Sequence, residues 1–193
     1  MAKKLLTFQF DNIIVWRHAE AEIANFELGE DDEVRQLTHK GHEHAKRMAR
    51  WLKKHLPQDT ILICSPALRA LQTAEALDYK IQLQDSLKPS ASLADVLAVL
   101  MRIQNQLNQQ SKKDQQKNVL IVGHQPWIGQ LVAYLVEQST NESRKINHEN
   151  NTSIKKGAVW WLRLHSVKTA TVASQQHVNQ QYKLFTLQTP SLL

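Results

Sequence analysis

Two arginines and two histidines stand at or shortly after the ends of apolar segments in this chain. Arg17 and His18 follow the first segment, Arg69 comes shortly after the second, and His124 follows the third. Arginine presents a fork of N–H donors that suits phosphate oxygens, and histidine can act as a nucleophile, an acid or a base. The sequence has no glycine-rich phosphate loop, so side-chain donors would have to anchor such an anion. Each residue alone is equally compatible with a structural or surface role, but together they indicate phosphoryl chemistry.

The apolar segments predict the strands that position these residues. Strands are predicted at residues 11–16, 60–64, 81–83, 119–122, 158–164 and 182–187. Most of the segments are apolar throughout rather than alternating, which is typical of strands buried on both faces. Because strand and helix alternate through most of the chain, we expect an α/β fold with three α/β/α layers and a mostly parallel central sheet. Ligands bind such sheets at the carboxyl ends of the strands, which would bring the four residues to one edge.

Four helices are predicted between these strands. The first opens at Gly41 and carries its apolar residues on one face. The second is expected to begin with Ser65 as its N-cap and Pro66 at the first helical position, and to run to Leu77. The remaining two are predicted over residues 92–108 and 127–136.

The composition is that of an ordinary globular domain, with 42% hydrophobic and 22% charged residues among 193. It excludes a disordered or collagenous chain, and no apolar run approaches the roughly 20 residues of a membrane-spanning helix. We expect one domain over residues 1–193, with an N-terminal extension at 1–10 and a mobile loop at 139–156. The single cysteine, Cys64, excludes an internal disulfide and a multi-cysteine zinc site, and a cytoplasmic location is the simplest expectation.

The positive charge is concentrated in the second half of the chain. Residues 1–100 hold 13 Lys/Arg against 14 Asp/Glu, whereas residues 101–193 hold 11 against 4. A basic half is compatible with binding to nucleic acid, anionic lipid or phosphorylated partners. It is equally compatible with a solvated surface, so the charge alone does not decide between these alternatives.

Four motifs carry a resemblance to a known family. They are Val15-Trp-Arg17-His18-Ala-Glu20, Leu37-Thr38 followed by Gly41 and Ala45, Ser65-Pro66-Ala-Leu-Arg69-Ala70 followed by Gln72-Thr73-Ala74, and Gly123-His124 followed by Pro126. In order and strand context they resemble the histidine phosphatase superfamily, the phosphoglycerate mutase-like proteins, over about residues 11–187. The short chain and the Arg-His-Ala form are most similar to the SixA-type phosphohistidine phosphatases of that superfamily. The resemblance implies the phosphoglycerate mutase-like fold.

The resemblance also implies a role for each site residue. His18 would be the nucleophile that becomes phosphorylated, Arg17 and Arg69 would hold the phosphoryl oxygens, and His124 would donate to the same oxygens. Arg35 matches a further arginine of the SixA-type proteins, and it is alternatively a surface ion pair with the acidic segment around residues 27–33. No metal or other cofactor is expected, because fixed arginines can neutralise the equatorial oxygens during in-line attack.

One departure from the family pattern concerns the general acid. Larger relatives supply a carboxylate between the motif of Arg69 and the motif of His124, whereas here Ser86 falls at the acid's place and Asp85 is one residue away. An alkoxide leaving group needs a proton, but an imidazole leaving a phosphohistidine needs little help. The missing acid therefore favours phosphoramidate over phosphomonoester substrates.

Three hypotheses follow from the sequence. The first is a phosphatase that hydrolyses phosphohistidine on a partner protein, with neither a membrane nor a specific nucleic acid as partner. The second is a small-molecule phosphomonoesterase of the same fold with Asp85 as the acid. The third is a non-catalytic phosphate or nucleic-acid binding module, which would not need a nucleophile. The sequence leaves the oligomeric state open.

Overall fold

A computed structural model of the protein describes residues 8–24, 29, 31–110, 116–137, 152–169 and 177–193. The strands are β1 (Asn12–Arg17), β2 (Ile61–Cys64), β3 (Ile81–Leu83), β4 (Asn118–Gly123), β5 (Val159–Thr169) and β6 (His177–Gln188). The helices are α1 (His39–His55), α2 (Leu68–Glu75), α3 (Leu93–Gln110) and α4 (Trp127–Glu137). All six strands form one sheet in the order β3-β2-β4-β1-β5-β6. The predicted α/β fold with a mostly parallel sheet is confirmed.

Five of the six strands run in one direction, and β5 runs in the opposite direction. β3, β2, β4 and β1 are mutually parallel neighbours, whereas β5 is antiparallel to β1 and β6 is antiparallel to β5. A helix lies on the connection between each successive pair of parallel strands, as parallel pairing requires. β1, β2 and β4 therefore end at one edge of the sheet. β5 begins and β6 ends at that same edge, since Trp16 lies opposite Val159 and Val159 lies opposite Gln188.

The core occupies both faces of the sheet. α3 and α4 pack on one face, where their apolar residues join alternate residues of β1 and β4 such as Val15 and Ile121. α1 and α2 pack on the other face with the intervening residues, such as Trp16 and Val122. Burial on both faces explains why the central positions of β1 and β4 are all apolar. The result is a buried sheet whose carboxyl edge carries the polar residues His18, Ser65 and His124.

The N-terminus of α1 is fixed to the segment that follows β1. Thr38 caps the helix by accepting a hydrogen bond from the Gly41 N–H at 2.9 Å, so the helix begins two residues before the predicted start. A Cβ on Gly41 would lie 1.9 Å from the Glu20 carbonyl oxygen. Gly41 is therefore required by this close approach of helix and loop.

The predicted start of α2 is wrong. Ser65 and Pro66 precede the helix, Ala67 occupies the N-cap position, and the helix ends at Glu75 rather than at Leu77. The Ser65 hydroxyl accepts from the Ala67 N–H at 3.3 Å and lies closer, at 2.8 Å, to a histidine ring from the neighbouring strand end. The tertiary contact therefore competes with the local capping preference.

The structure describes part of the predicted N-terminal extension and part of the predicted mobile loop. Phe8 and Phe10, from the predicted N-terminal extension, are buried in the core. Of the predicted mobile loop, residues 139–151 lie outside the described residues, and Ile154 is buried. Within the part of the chain that the structure describes, no helix has both the length and the apolar character to cross a membrane.

Candidate active site

The structure brings Arg17, His18 and His124 together where two adjacent parallel strands end. Arg17 is the last residue of β1 and lies opposite Gly123, the last residue of β4. The His18 N–H donates to the Gly123 carbonyl at 3.0 Å. The rings of His18 and His124 consequently face each other with centroids 5.0 Å apart.

The His18 ring is held in one tautomer. Its Nδ1 lies 2.7 Å from the Ala19 carbonyl oxygen. Because a carbonyl oxygen can only accept, Nδ1 carries the proton and Nε2 keeps its lone pair. Burial, with smaller contributions from the charges of Arg69 and Arg17, lowers the pKa of His18 to about 3 despite the opposing Ala19 hydrogen bond. His18 is therefore neutral at pH 7 and can act as a nucleophile through Nε2.

Arg17 is anchored by the segment that precedes β5. Its Nη1 donates to the Ile154 carbonyl at 2.5 Å, and its backbone N–H donates to the Ala158 carbonyl. The Gly157 N–H in turn contacts the carbonyls of Arg17 and His18. The guanidinium is thus fixed beside the histidine pair.

Arg69 is held by a carboxylate from the acidic segment. It lies on the first turn of α2 and is only 4% exposed. Its Nη2 donates to Asp32 Oδ2 at 2.6 Å, and its Nη1 donates to the Asp32 carbonyl. Burial raises the pKa of the Asp32 carboxyl, but hydrogen bonds from Arg35 and Arg69 outweigh this effect and keep the pKa below its ordinary value. Asp32 therefore stays ionised and neutralises a buried cation.

Arg35 lies outside the histidine pair and reaches the site through Asp32. Its Nη1 donates to Asp32 Oδ1 at 2.7 Å, and its Nε donates to the Glu22 carbonyl. This is the ion pair with the acidic segment that the sequence offered as the alternative for Arg35. Asp32 bridges Arg35 and Arg69, so Arg35 is coupled to the site without entering its buried part.

His124 directly follows β4 and is fixed on two sides. Its Nε2 lies 2.8 Å from Ser65 Oγ, and the Trp127 ring packs edge-on against its imidazole with centroids 6.4 Å apart. A Cβ on Gly123 would lie 2.1 Å from the Trp127 ring, so glycine is needed here. Burial, together with the charges of His18 and Arg69, lowers the pKa of His124 to about 2.

Three buried nitrogens of the site have no hydrogen-bond partner. They are Arg17 Nε, Arg69 Nε and His124 Nδ1. In the described part of the chain only Asn118 Nδ2 shares this property. A buried donor without a partner costs about 1–3 kcal/mol, so such groups call for an explanation. The oxygens of a bound oxyanion are acceptors of the kind that such N–H groups require.

The sequence missed several side chains that position the site. Thr73 Oγ1 accepts from the Ala19 N–H at 3.0 Å and donates to the Arg69 carbonyl at 2.6 Å, which links the loop after β1 to α2. For Asp32 the sequence indicates only membership of the acidic segment around residues 27–33, and for Ser65 it predicts a helix cap. The signal available for Thr73 was its place in a motif, one helical turn after Arg69.

Ser86, which stands at the expected position of a general acid, and Asp85, which precedes it, are both exposed. They lie on a short 3-10 turn, Asp85–Leu87, directly after β3. The next residue, Lys88, forms an ion pair with Glu33 at 3.1 Å, which ties this turn to the acidic segment. Among the described residues, no cluster of three or more His, Cys, Asp or Glu side chains could hold a metal ion.

The site residues lie within a region that matches a known family. The family model of the histidine phosphatase superfamily (branch 1) matches residues 13–91 and 79–159. The phosphohistidine phosphatase SixA homolog of Haemophilus influenzae is 33% identical over 141 residues, which cover 64% of this chain and 76% of that protein. Phosphohistidine phosphatase SixA of Escherichia coli is 30% identical over 134 residues, which cover 66% of this chain and 76% of that protein.

The fold agrees with this match. A solved structure of the protein histidine phosphatase SixA complexed with tungstate resembles this chain with a TM-score of 0.62 at 23% identity, over 94% of this chain and 98% of the other. At that identity the likeness shows a shared fold. The matched sequence region carries Arg17, His18, Arg69 and His124 in the expected order. The chain belongs to the histidine phosphatase superfamily (branch 1).

Proposed function

We propose that this protein is a phosphatase that removes the phosphoryl group from phosphohistidine on a partner protein. The main support for this proposal is the orientation of the His18 ring. The Ala19 carbonyl holds its Nδ1 proton, and Nε2 keeps its lone pair. A neutral, oriented imidazole beside two guanidiniums is suited to covalent phosphoryl transfer. The names of the two relatives, both phosphohistidine phosphatases, support the same substrate class.

The reaction proceeds in two displacements at phosphorus. In the first, the His18 Nε2 lone pair forms a P–N bond while the P–N bond to the substrate imidazole breaks and its electron pair stays on that imidazole. In the second, a water oxygen attacks phosphorus, the bond to Nε2 breaks, and inorganic phosphate leaves while the water proton passes to solvent. His18 returns to its starting state, so no external reductant or oxidant is needed.

The three unpartnered donors hold the phosphoryl oxygens in this proposal. Arg17 and Arg69 supply fixed positive charge through Nε, and His124 supplies a neutral donor through Nδ1. Donors positioned before the reaction stabilise the charge that builds on the oxygens, and they do not reorganise during the step. Asp32 keeps Arg69 in place, and Arg35 supports Asp32 from the outer side.

The available carboxylates favour a phosphoramidate over a phosphate ester. Asp85 is exposed on its turn, and Asp32 is ion-paired with a lowered pKa, so neither is set up as a proton donor. An alkyl phosphate expels an alkoxide, for which a positioned acid is worth about 10² to 10⁴ in rate. An imidazole leaves without that help when its other nitrogen is protonated.

Substrate comparison tests the proposal directly. We would measure kcat/KM for a phosphohistidine peptide, a phosphoserine peptide and an aryl phosphate in the wild-type protein and in Asp85→Asn. Asp78→Asn is the matched control, because Asp78 is an exposed aspartate that precedes β3, at the opposite edge of the sheet. The expected order is phosphohistidine, then the aryl phosphate, then phosphoserine, with Asp85→Asn and Asp78→Asn alike.

The phosphomonoesterase hypothesis makes the opposite forecast. If Asp85 is the acid, phosphoserine and phosphohistidine should react at similar rates, and Asp85→Asn should lose about 10²-fold or more on phosphoserine. That result would replace the proposed function with a general phosphomonoesterase activity. Absence of hydrolysis for all three substrates, with intact phosphate binding, would favour the non-catalytic binding module.

A further inference from the structure

Ser65 and His124 form a buried hydrogen-bonded pair that the reaction above does not explain. Ser65 is 0% exposed and His124 is 2% exposed, and Ser65 Oγ lies 2.8 Å from His124 Nε2. The Ser65 hydroxyl also accepts from the Ala67 N–H at 3.3 Å. The two residues come from the ends of the adjacent parallel strands β2 and β4.

The direction of the Ser65–His124 hydrogen bond follows from counting protons. A serine hydroxyl has one proton to donate, and the Ala67 N–H already uses one of its lone pairs. Among the residues that the structure describes, His124 Nε2 is the one acceptor recorded for that proton. If Nε2–H donated instead, the hydroxyl proton would be buried without a partner. Donation from Ser65 therefore leaves Nε2 as the acceptor and places the ring proton on Nδ1.

The direction of the Ser65–His124 hydrogen bond determines what the other ring nitrogen of His124, Nδ1, can do. His124 Nδ1 is buried and unpartnered, like the Nε atoms of Arg17 and Arg69. With the proton on Nδ1, all three atoms are donors, which suits a phosphoryl group whose oxygens only accept. With the proton on Nε2, Nδ1 would present a lone pair and would repel those oxygens.

We propose that Ser65 is a positioning residue that selects the Nδ1–H tautomer of His124 and so turns His124 into a neutral donor for the phosphoryl oxygens. The inference rests on the proposed function for its consequence in catalysis, but the tautomer itself can be observed without turnover. In this proposal His18 and His124 each carry the ring proton on Nδ1, but the two protons have different roles. His18 directs its proton to the Ala19 carbonyl to free Nε2, and His124 directs its proton toward the substrate.

Nitrogen–proton correlation spectra of protein carrying isotope-labelled histidine would test the proposal. The His124 signals would be identified by their loss in His124→Gln. In the wild-type protein at pH 7 we expect the Nδ1–H tautomer, and in Ser65→Ala we expect a shift toward the Nε2–H form. Ser92→Ala is the control, because Ser92 caps α3 by accepting from the Asp95 N–H. It should lower the unfolding midpoint and leave the His124 spectrum unchanged.

Binding of inorganic tungstate and turnover give the functional readout. Loss of a preorganised donor reduces rates by about 10²- to 10³-fold in comparable sites. Because Ser65→Ala retains part of the Nδ1–H population, we expect kcat/KM for the phosphohistidine peptide to fall by about 10- to 100-fold. Tungstate affinity should fall in parallel, and Ser92→Ala should match the wild-type protein in both assays.

The outcomes separate this inference from the proposed function. An Nε2–H tautomer in the wild-type protein, or an unchanged tautomer and tungstate affinity in folded Ser65→Ala, would overturn the role of Ser65 while leaving the phosphatase intact. The Nδ1–H tautomer together with no hydrolysis of phosphohistidine would support the role of Ser65 in anion binding and would remove the proposed substrate.

Discussion

Asp32 is the residue that connects the buried part of the site to its surface. It accepts hydrogen bonds from Arg69 through both its carbonyl and its carboxylate, and it accepts from Arg35 as well. Arg69 is almost fully buried, so removal of its counter-charge would leave a guanidinium uncompensated. Asp32 thus sets both the charge balance and the orientation of Arg69, to which the proposed reaction assigns phosphoryl binding.

Substitution of Asp32 should therefore damage activity without removing any group that touches phosphate. Asp32→Asn keeps the shape of the side chain but removes the negative charge, so that Arg69 donates to a neutral amide oxygen instead of a carboxylate. Hydrogen bonds to charged groups contribute about 1.5–3 kcal/mol, so we expect kcat/KM to fall by about 10- to 100-fold. Asp31→Asn is the matched control, since the Asp31 carboxylate is exposed and, among the described residues, accepts a hydrogen bond from the Glu33 N–H. Equal activity of the two variants would contradict the account.

The two histidines also predict how stability depends on pH. Burial lowers the pKa of His18 to about 3, against an ordinary value of 6.5, so the unfolded chain binds the proton first as pH falls. The stability of the neutral pair is fully present above about pH 6.5 and is lost as pH falls toward 3. Urea unfolding between about pH 7 and pH 4 should show this decline.

His18→Asn supplies the comparison for the pH dependence. The variant lacks one of the two buried imidazoles, so its free energy of unfolding should fall less steeply over the same pH interval. Parallel curves for the wild-type and variant proteins would show that His18 is not held neutral in the folded state.

At the scale of the elements, the contact between α1 and the loop after β1 predicts whether Gly41→Ala stabilises or destabilises the protein. In an exposed helix Ala is favoured over Gly by about 1 kcal/mol. In Gly41→Ala, however, the new Cβ meets the Glu20 carbonyl oxygen at 1.9 Å, and a backbone oxygen cannot turn aside. We expect a net destabilisation of about 1–3 kcal/mol in urea unfolding.

A second substitution in the same helix controls for propensity. Arg50 is exposed on α1, so Arg50→Ala should change the free energy of unfolding by less than about 0.5 kcal/mol. An increase in stability in Gly41→Ala would mean that α1 does not press on the loop that follows His18.

The elements could be predicted where local sequence and tertiary structure agree. β1, β2 and β4 are continuous apolar runs because both faces of the sheet are covered, and each was found within one residue at either end. The start of α2 could not be predicted, because Ser65 has a local preference for capping and a tertiary partner in His124. Sequence pattern reports the preference but not the partner.

The site, like the elements, divides into residues whose place could be predicted from the sequence and residues whose role could not. The positions of Arg17, His18, Arg69 and His124 at the sheet edge followed from strand ends and family motifs. The role of Asp32 could not be inferred, because its pairing with Arg69 spans 37 residues and depends on how the acidic segment folds back. The reversed direction of β5 was equally beyond the sequence, since it is set by antiparallel pairing with β1 on one side and with β6 on the other.

At the scale of the whole molecule, the excess of basic residues does not by itself imply a nucleic-acid partner. Lys155 and Lys156 are exposed in the segment that anchors Arg17, and the chain has a formal net charge of +6. If these charges only solvate the surface, binding to duplex DNA should be weak and should vanish as salt rises. Fluorescence anisotropy with labelled duplex at about 50 and 200 mM salt would measure this. Binding that persists at the higher salt with sequence preference would support a binding module.

The most direct test of the central claim is whether His18 becomes phosphorylated during turnover. We would mix the protein briefly with a radiolabelled phosphohistidine peptide, quench it in base and locate the label by peptide mapping. The account predicts acid-labile, base-stable label on His18, no label or turnover in His18→Ala, and normal behaviour in His165→Ala, where an exposed histidine of β5 is removed. Turnover that survives in His18→Ala, or label on another residue, would contradict it.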